Sequence, residues 1–159
     1  MTTLFVLLLS VWSPAAEAKD LRNRVGVGVN TTLGGAGAPP ALSVRYGLPA
    51  PKPVLNIQLE GVAGFTAQNG VASTVAGGRL LYGVVAEDNL NVSVGAGAAY
   101  VSAAGQGVVR VQPAAQVDFF LFGLENLGFF GGVGLNLDVG STGGAGTSGA
   151  ALGGLHYWF

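Results

Sequence analysis

Six charged side chains, Arg45, Arg79 and Arg110 with Glu60, Asp118 and Asp138, stand among apolar neighbours in this chain of 159 residues. Three carry each sign, so they can pair, and pairing offsets much of the cost of burying a charge. As pairs they would fill and stiffen an interior; the sharper chemistry is a salt-bridge gate on a thin ion path. Other reactive groups are few. His156 is the sole histidine and cannot build a metal site alone, and no cysteine is present for thiolate, disulfide or lipid-anchor chemistry. Gly144-Ala145-Gly146-Thr147-Ser148-Gly149 fits the phosphate-cradling GxGxxG pattern, but neither a strand–helix setting nor a following acidic residue accompanies it, so it reads as a loop. Asn30-Thr31-Thr32 and Asn91-Val92-Ser93 are glycosylation sequons by chance, lying in or at the end of strands. The expectation is no enzyme, no metal and no cofactor, and a net charge of −1 argues against nucleic acid.

A period of two positions these charges. Val25, Val27 and Val29 oppose Arg24, Gly26 and Gly28; Leu42, Val44 and Tyr46 oppose Ser43 and Arg45; Ile57, Leu59 and Phe65 oppose Gln58 and Glu60. Leu80, Tyr82 and Val84 oppose Arg79 and Gly83, and Leu90 to Tyr100 alternates with Asn91, Ser93, Gly95 and Gly97. Val109 to Leu121 alternates with Arg110, Gln112, Gln116 and Asp118, and Phe129 to Val139 with Gly132, Gly134, Asn136 and Asp138. Ala151–Phe159 is the eighth such segment. Short links with turn chemistry, at 34–40, 49–53, 68–70, 87–89, 103–107, 123–126 and 140–147, make neighbouring strands antiparallel. A two-residue turn at Asn69-Gly70 sets Glu60 opposite Arg79, and a turn centred on Leu124 sets Arg110 opposite Asp138. Phe120, Phe122, Phe130 and Trp158 share the phase of the charges near one rim, where they are expected to form an aromatic plug.

Charged residues make up 9% of the chain, against about 25% in ordinary soluble domains. No apolar stretch after the N-terminus is long enough for a spanning helix, which leaves a closed sheet as the structure a bilayer accepts. Tyr46, Tyr82, Phe119, Phe129, Tyr157 and Phe159 fall near one rim and Phe65 and Tyr100 near the other, with aliphatic residues between, as two membrane interfaces select. Leu4–Trp12 is an apolar run of about nine residues, and Ala16-Glu17-Ala18 is a small-x-small site. The expected organisation is a signal peptide at 1–18 and a barrel at 19–159. Charges gather at the N-terminal rim, at Lys19, Asp20, Arg22, Arg24, Lys52, Glu87, Asp88 and Glu125, whereas the opposite links carry none.

Leu155, Tyr157 and Phe159, apolar on alternate positions up to the last residue, resemble the C-terminal signal read by the barrel-assembly machinery of bacterial outer membranes. Over residues 19–159 the chain resembles the small outer-membrane barrels typified by OmpX and the OmpA membrane domain. That resemblance implies an all-β, closed, antiparallel, up-and-down, eight-stranded transmembrane barrel. Its expected setting is the outer membrane, in contact with lipid and with a periplasmic protein partner of unknown identity. The expected role is a non-enzymatic structural barrel, as the membrane component of an envelope complex; the alternative is a narrow pore or small-solute-binding barrel with a charged lumen. The likeness to lipid A deacylases stops at fold, because His156 faces inward near the wrong rim, with Gly154 and Trp158 two residues to either side.

Overall fold

The computed structural model describes residues 19–34, 40–51, 56–68, 70–103, 105–140 and 144–159. The expected signal peptide lies outside these residues, as do Lys52 and Asn69. The strands are β1 (Val25–Asn30), β2 (Ala41–Gly47), β3 (Ile57–Gln68), β4 (Val71–Glu87), β5 (Leu90–Ala103), β6 (Gln106–Leu121), β7 (Leu124–Gly140) and β8 (Ala145–Trp158). Each pairs antiparallel with the next, and β8 pairs with β1, so the sheet is a closed, eight-stranded, up-and-down barrel.

Alternation divides each strand between the two faces of the wall. In β2, Ala41, Ser43, Arg45 and Gly47 are buried inside, whereas Leu42, Val44 and Tyr46 stand outward at 69%, 52% and 39% exposure. The same partition puts Gln58 and Glu60, Arg79, Gln112 and Gln116 inside, with Leu59, Leu80, Val111 and Val117 outside. The molecule is polar within and apolar without.

Four hairpins are tight: Gln68 pairs with Val71, Glu87 with Leu90, Ala103 with Gln106 and Leu121 with Leu124, each leaving two residues in the turn. Gly123 has φ of +80°, a conformation that glycine adopts without a Cβ penalty. This turn is Phe122-Gly123, not a link centred on Leu124 and running to Asn126. The register expected for β6 and β7 nevertheless holds beyond it, because Phe120 pairs with Gly128 while Leu121 pairs with Leu124. The irregularity in β7 takes up three residues, Glu125 to Leu127. A second bulge lies at Gly83/Val85 in β4. Phe122 is consequently at the tip of a turn and 83% exposed, so it is not part of an inward plug. β8 also begins earlier than expected, at Ala145, so the GxGxxG residues from Ala145 onward are strand rather than loop.

Two apolar clusters occupy the interior. Before β1, the chain crosses the rim as a strap: Asn23 N–H donates to Gly47 O at 2.8 Å, and Gly47 N–H to Arg24 O at 3.0 Å. A Cβ on Gly47 would collide with the Leu21 carbonyl, so glycine permits this approach. Leu21 thereby packs, fully buried, on Phe120 and Trp158. Nearer the other mouth, the residues after β1 turn inward, and Leu33 packs among Ala41, Val62, Val75 and Ala99. Burial of one such leucine is worth about 1.5–3 kcal/mol.

Candidate functional site

The inward positions of β2, β3, β4 and β6 place a chain of charges in the lumen between these two clusters. Arg45 pairs in register with Glu60, and Glu60 with Arg79, so one carboxylate lies between two guanidinium groups across adjacent strands. Arg79 Nε donates to Glu60 Oε2 at 2.7 Å, and Arg79 Nη2 donates to the same oxygen. Glu60 Oε1 accepts from Ser43 Oγ at 2.7 Å and from Asn30 Nδ2 at 2.6 Å, with Arg45 Nε at 3.2 Å. Arg45 Nη1 in turn donates to Asp118 Oδ1 at 2.6 Å, and Gln116 Nε2 to Asp118 Oδ2 at 2.9 Å. The run Arg79–Glu60–Arg45–Asp118 is electrically balanced and almost wholly buried.

Such balance matters because desolvation removes several kcal/mol per ion, while a contact pair recovers a comparable amount at an effective dielectric near 20. Phe130 adds to the recovery. The Arg45 guanidinium lies 4.4 Å from its ring centroid and that of Arg79 5.8 Å away. The opposite face of the aromatic group continues through His156, stacked on Phe130 at 5.7 Å, to Trp158 at 6.3 Å from His156. Of the four aromatic residues expected inside, Phe120, Phe130 and Trp158 are there, joined by Leu21, which the strand pattern did not indicate.

Ser43, His156 and Glu60 form a compact buried group, with Ser43 Oγ 2.5 Å from His156 Nε2. The serine has one hydroxyl proton, and the Glu60 carboxylate takes it. His156 Nε2 must then donate to Ser43, which makes the imidazole a donor there and not a base for a nucleophile. Glu60 lies beside the same Nε2 at 3.6 Å, not on Nδ1 where a triad would need its orienting acid. The group is architectural. Spacing could not reveal it, since Ser43 and His156 are 113 positions apart and meet only because β2 and β8 flank β1.

A second ion pair lies toward the other mouth. Arg110 pairs in register with Asp138 and binds it through Nε and Nη2, both at 2.7 Å, while Nη1 donates to Leu33 O at 2.9 Å. This pair is less enclosed, with 10% and 25% of the two side chains exposed. Gln112, on the same face of β6, donates to Asn136 Oδ1 at 2.7 Å and accepts from Leu33 N–H at 3.3 Å. The six charges therefore form two groups: four around Glu60 and two at Arg110.

At the strap, Arg22 binds the Asp20 carboxylate through Nε at 2.9 Å and Nη2 at 2.7 Å, which holds that carboxyl below its ordinary value of 3.8. The same hydrogen bond raises the Arg22 guanidinium. Leu155, Tyr157 and Phe159 stand on the outer wall, and the rings of Tyr157 and Phe159 meet edge-on at 5.1 Å. Among the described residues no cluster of three His, Cys, Asp or Glu side chains could hold a metal ion. Compared with protein families, with curated proteins and with solved structures, the chain matches none.

Proposed function

We propose that this chain is a non-enzymatic structural barrel of a bacterial outer membrane, sealed at both ends and stiffened by its buried charges. The observation that carries this reading is the inverted distribution of polarity. Charges and amides fill the lumen, while the outer wall exposes valine and leucine on strand after strand. Water does not favour such a surface over a whole closed wall, whereas hydrocarbon does. Tyr46, Tyr82, Phe119, Phe129 and Tyr157 are exposed toward the strap end, and Phe65 and Tyr100 toward the other. Tyr100 pairs with Val109, ten residues along β6 from Phe119. At about 3.3 Å per residue and a tilt near 40°, that separation is about 25 Å along the barrel axis, the height of a transmembrane apolar band. No helix among the described residues is long and apolar enough to cross a membrane, a statement that says nothing of strands.

Residues 1–18 would direct export, and the apolar outer row Leu155, Tyr157 and Phe159 would be what the assembly machinery engages. The charged rim at Lys19, Asp20, Asp88 and Glu125 would face the periplasm, where a partner protein of an envelope complex would meet it. A pore is the weaker reading, because Leu21, Phe120 and Trp158 close one end and Leu33 fills the other. Two measurements test the proposal together. The protein should fractionate with outer membranes and migrate differently on gels before and after boiling. In planar bilayers it should give no steady conductance steps; steps abolished by Arg79→Ala would establish the pore instead.

A further inference from the structure

We propose that the inner wall around Leu33 is a binding site for a small neutral molecule carrying an amide beside a branched aliphatic group, and that Leu33 occupies it as an internal surrogate. Leu33 meets three different kinds of partner. Its side chain fills an apolar recess of Ala41, Val62, Val75 and Ala99, its carbonyl accepts from Arg110 Nη1, and its N–H donates to Gln112 Oε1. Arg110 and Gln112 are two residues apart on β6 and belong to the wall, not to the segment that they hold. Both are fixed without Leu33, Arg110 by two bonds to Asp138 and Gln112 by its bond to Asn136. The wall thus presents a donor, an acceptor and an aliphatic recess whose placement does not depend on the loop.

Leu33 itself is poorly suited to stay. It is a non-glycine residue at φ +62°, in the left-handed region that a branched side chain avoids. A separate molecule making the same three contacts would carry no such backbone strain. The site also selects charge. Asp138 neutralises Arg110 and would repel a carboxylate brought to Nη1, so a neutral carbonyl fits better than an acid. The inward-phase residues Gly146 and Ser148 of β8 are exposed, and Asp138 is partly so, which leaves Arg110 near the open mouth of the lumen.

The probe is N-acetyl-L-leucinamide, titrated against the full chain in detergent micelles and followed by ligand-observed nuclear magnetic resonance, so that the outcome does not depend on the native membrane. Leu33→Ala, which vacates the recess, should bind the probe at least tenfold more tightly than the native protein. Adding Gln112→Leu to that variant should weaken binding at least tenfold, and N-acetyl-L-leucine, with its free carboxylate, should bind less well than the amide. Folded Leu33→Ala protein that binds no better than native, or that binds equally with Gln112→Leu, overturns the proposal. Should Leu33→Ala not fold alone, it is refolded in the probe: recovery of the heat-modifiable barrel supports the site, and no recovery overturns it.

Discussion

Glu60 is the residue on which the interior turns. Its carboxylate accepts from Arg79, Ser43 and Asn30 and lies against Arg45, all without water access. Removing its charge leaves Arg45 and Arg79 buried with Asp118 as their sole nearby anion. Glu60→Gln is therefore expected to destabilise the barrel by about 3–5 kcal/mol. Asp138→Asn removes the partner of a partly exposed arginine and should lose about 1 kcal/mol. Urea unfolding in micelles checks the order; equal losses would mean that the two pairs share one environment. Asp20 provides a pH test. Its carboxyl is held below 3.8 by Arg22, so its contribution is complete above pH 3.8 and disappears as pH falls through the lowered value. Amide exchange at Leu21 and Asn23 should be slower in the native chain than in Asp20→Asn at neutral pH, and the difference should vanish only below pH 3.8. A difference that vanished near neutrality would assign the effect to another group.

At the scale of strands and turns, alternation and turn residues made the barrel legible. Each strand with one polar and one apolar face announces its period, and Asn69-Gly70 fixes the pairing of Glu60 with Arg79 through a single tight hairpin. The pairing of Arg110 with Asp138 was legible for a different reason: the extra residues at 125–127 sit within β7 and leave the register beyond them intact. What the period could not reveal is where it slips. Phe122 follows the inward phase of β6 on paper, yet Gly123 allows the chain to turn there, and the ring is left outside. Phe122→Ser should therefore change stability by less than about 0.5 kcal/mol, whereas Phe120→Ala should lose about 3–5 kcal/mol from the cluster with Leu21 and Trp158. Thermal unfolding separates the two variants, and a large loss in Phe122→Ser would restore it to the interior. Leu21 and Leu33 were illegible because each lies in a connecting segment, where burial has no period. Their positions depend on the lumen having unfilled space at each end.

For the whole molecule, the wall and the contents of the barrel answer to different solvents. Inside, opposite charges and amides satisfy one another across strands far apart in sequence, with Asn30 meeting Glu60 and Ser43 meeting His156. Outside, apolar residues meet nothing within the chain, which makes the surrounding medium part of the account. A sealed and internally cross-linked cylinder suits a stiff membrane element, and the strap of Leu21 adds a clasp that ties the N-terminal rim to β2 and β8 through Gly47 and Arg24. The most direct test of this account places nitroxide labels, one at a time, at Val94, Val111 and Leu135 on the outer wall of protein reconstituted in bilayers. Collision with oxygen and shielding from a water-soluble nickel complex are predicted at all three; ready collision with nickel at these positions would contradict a wall that faces lipid.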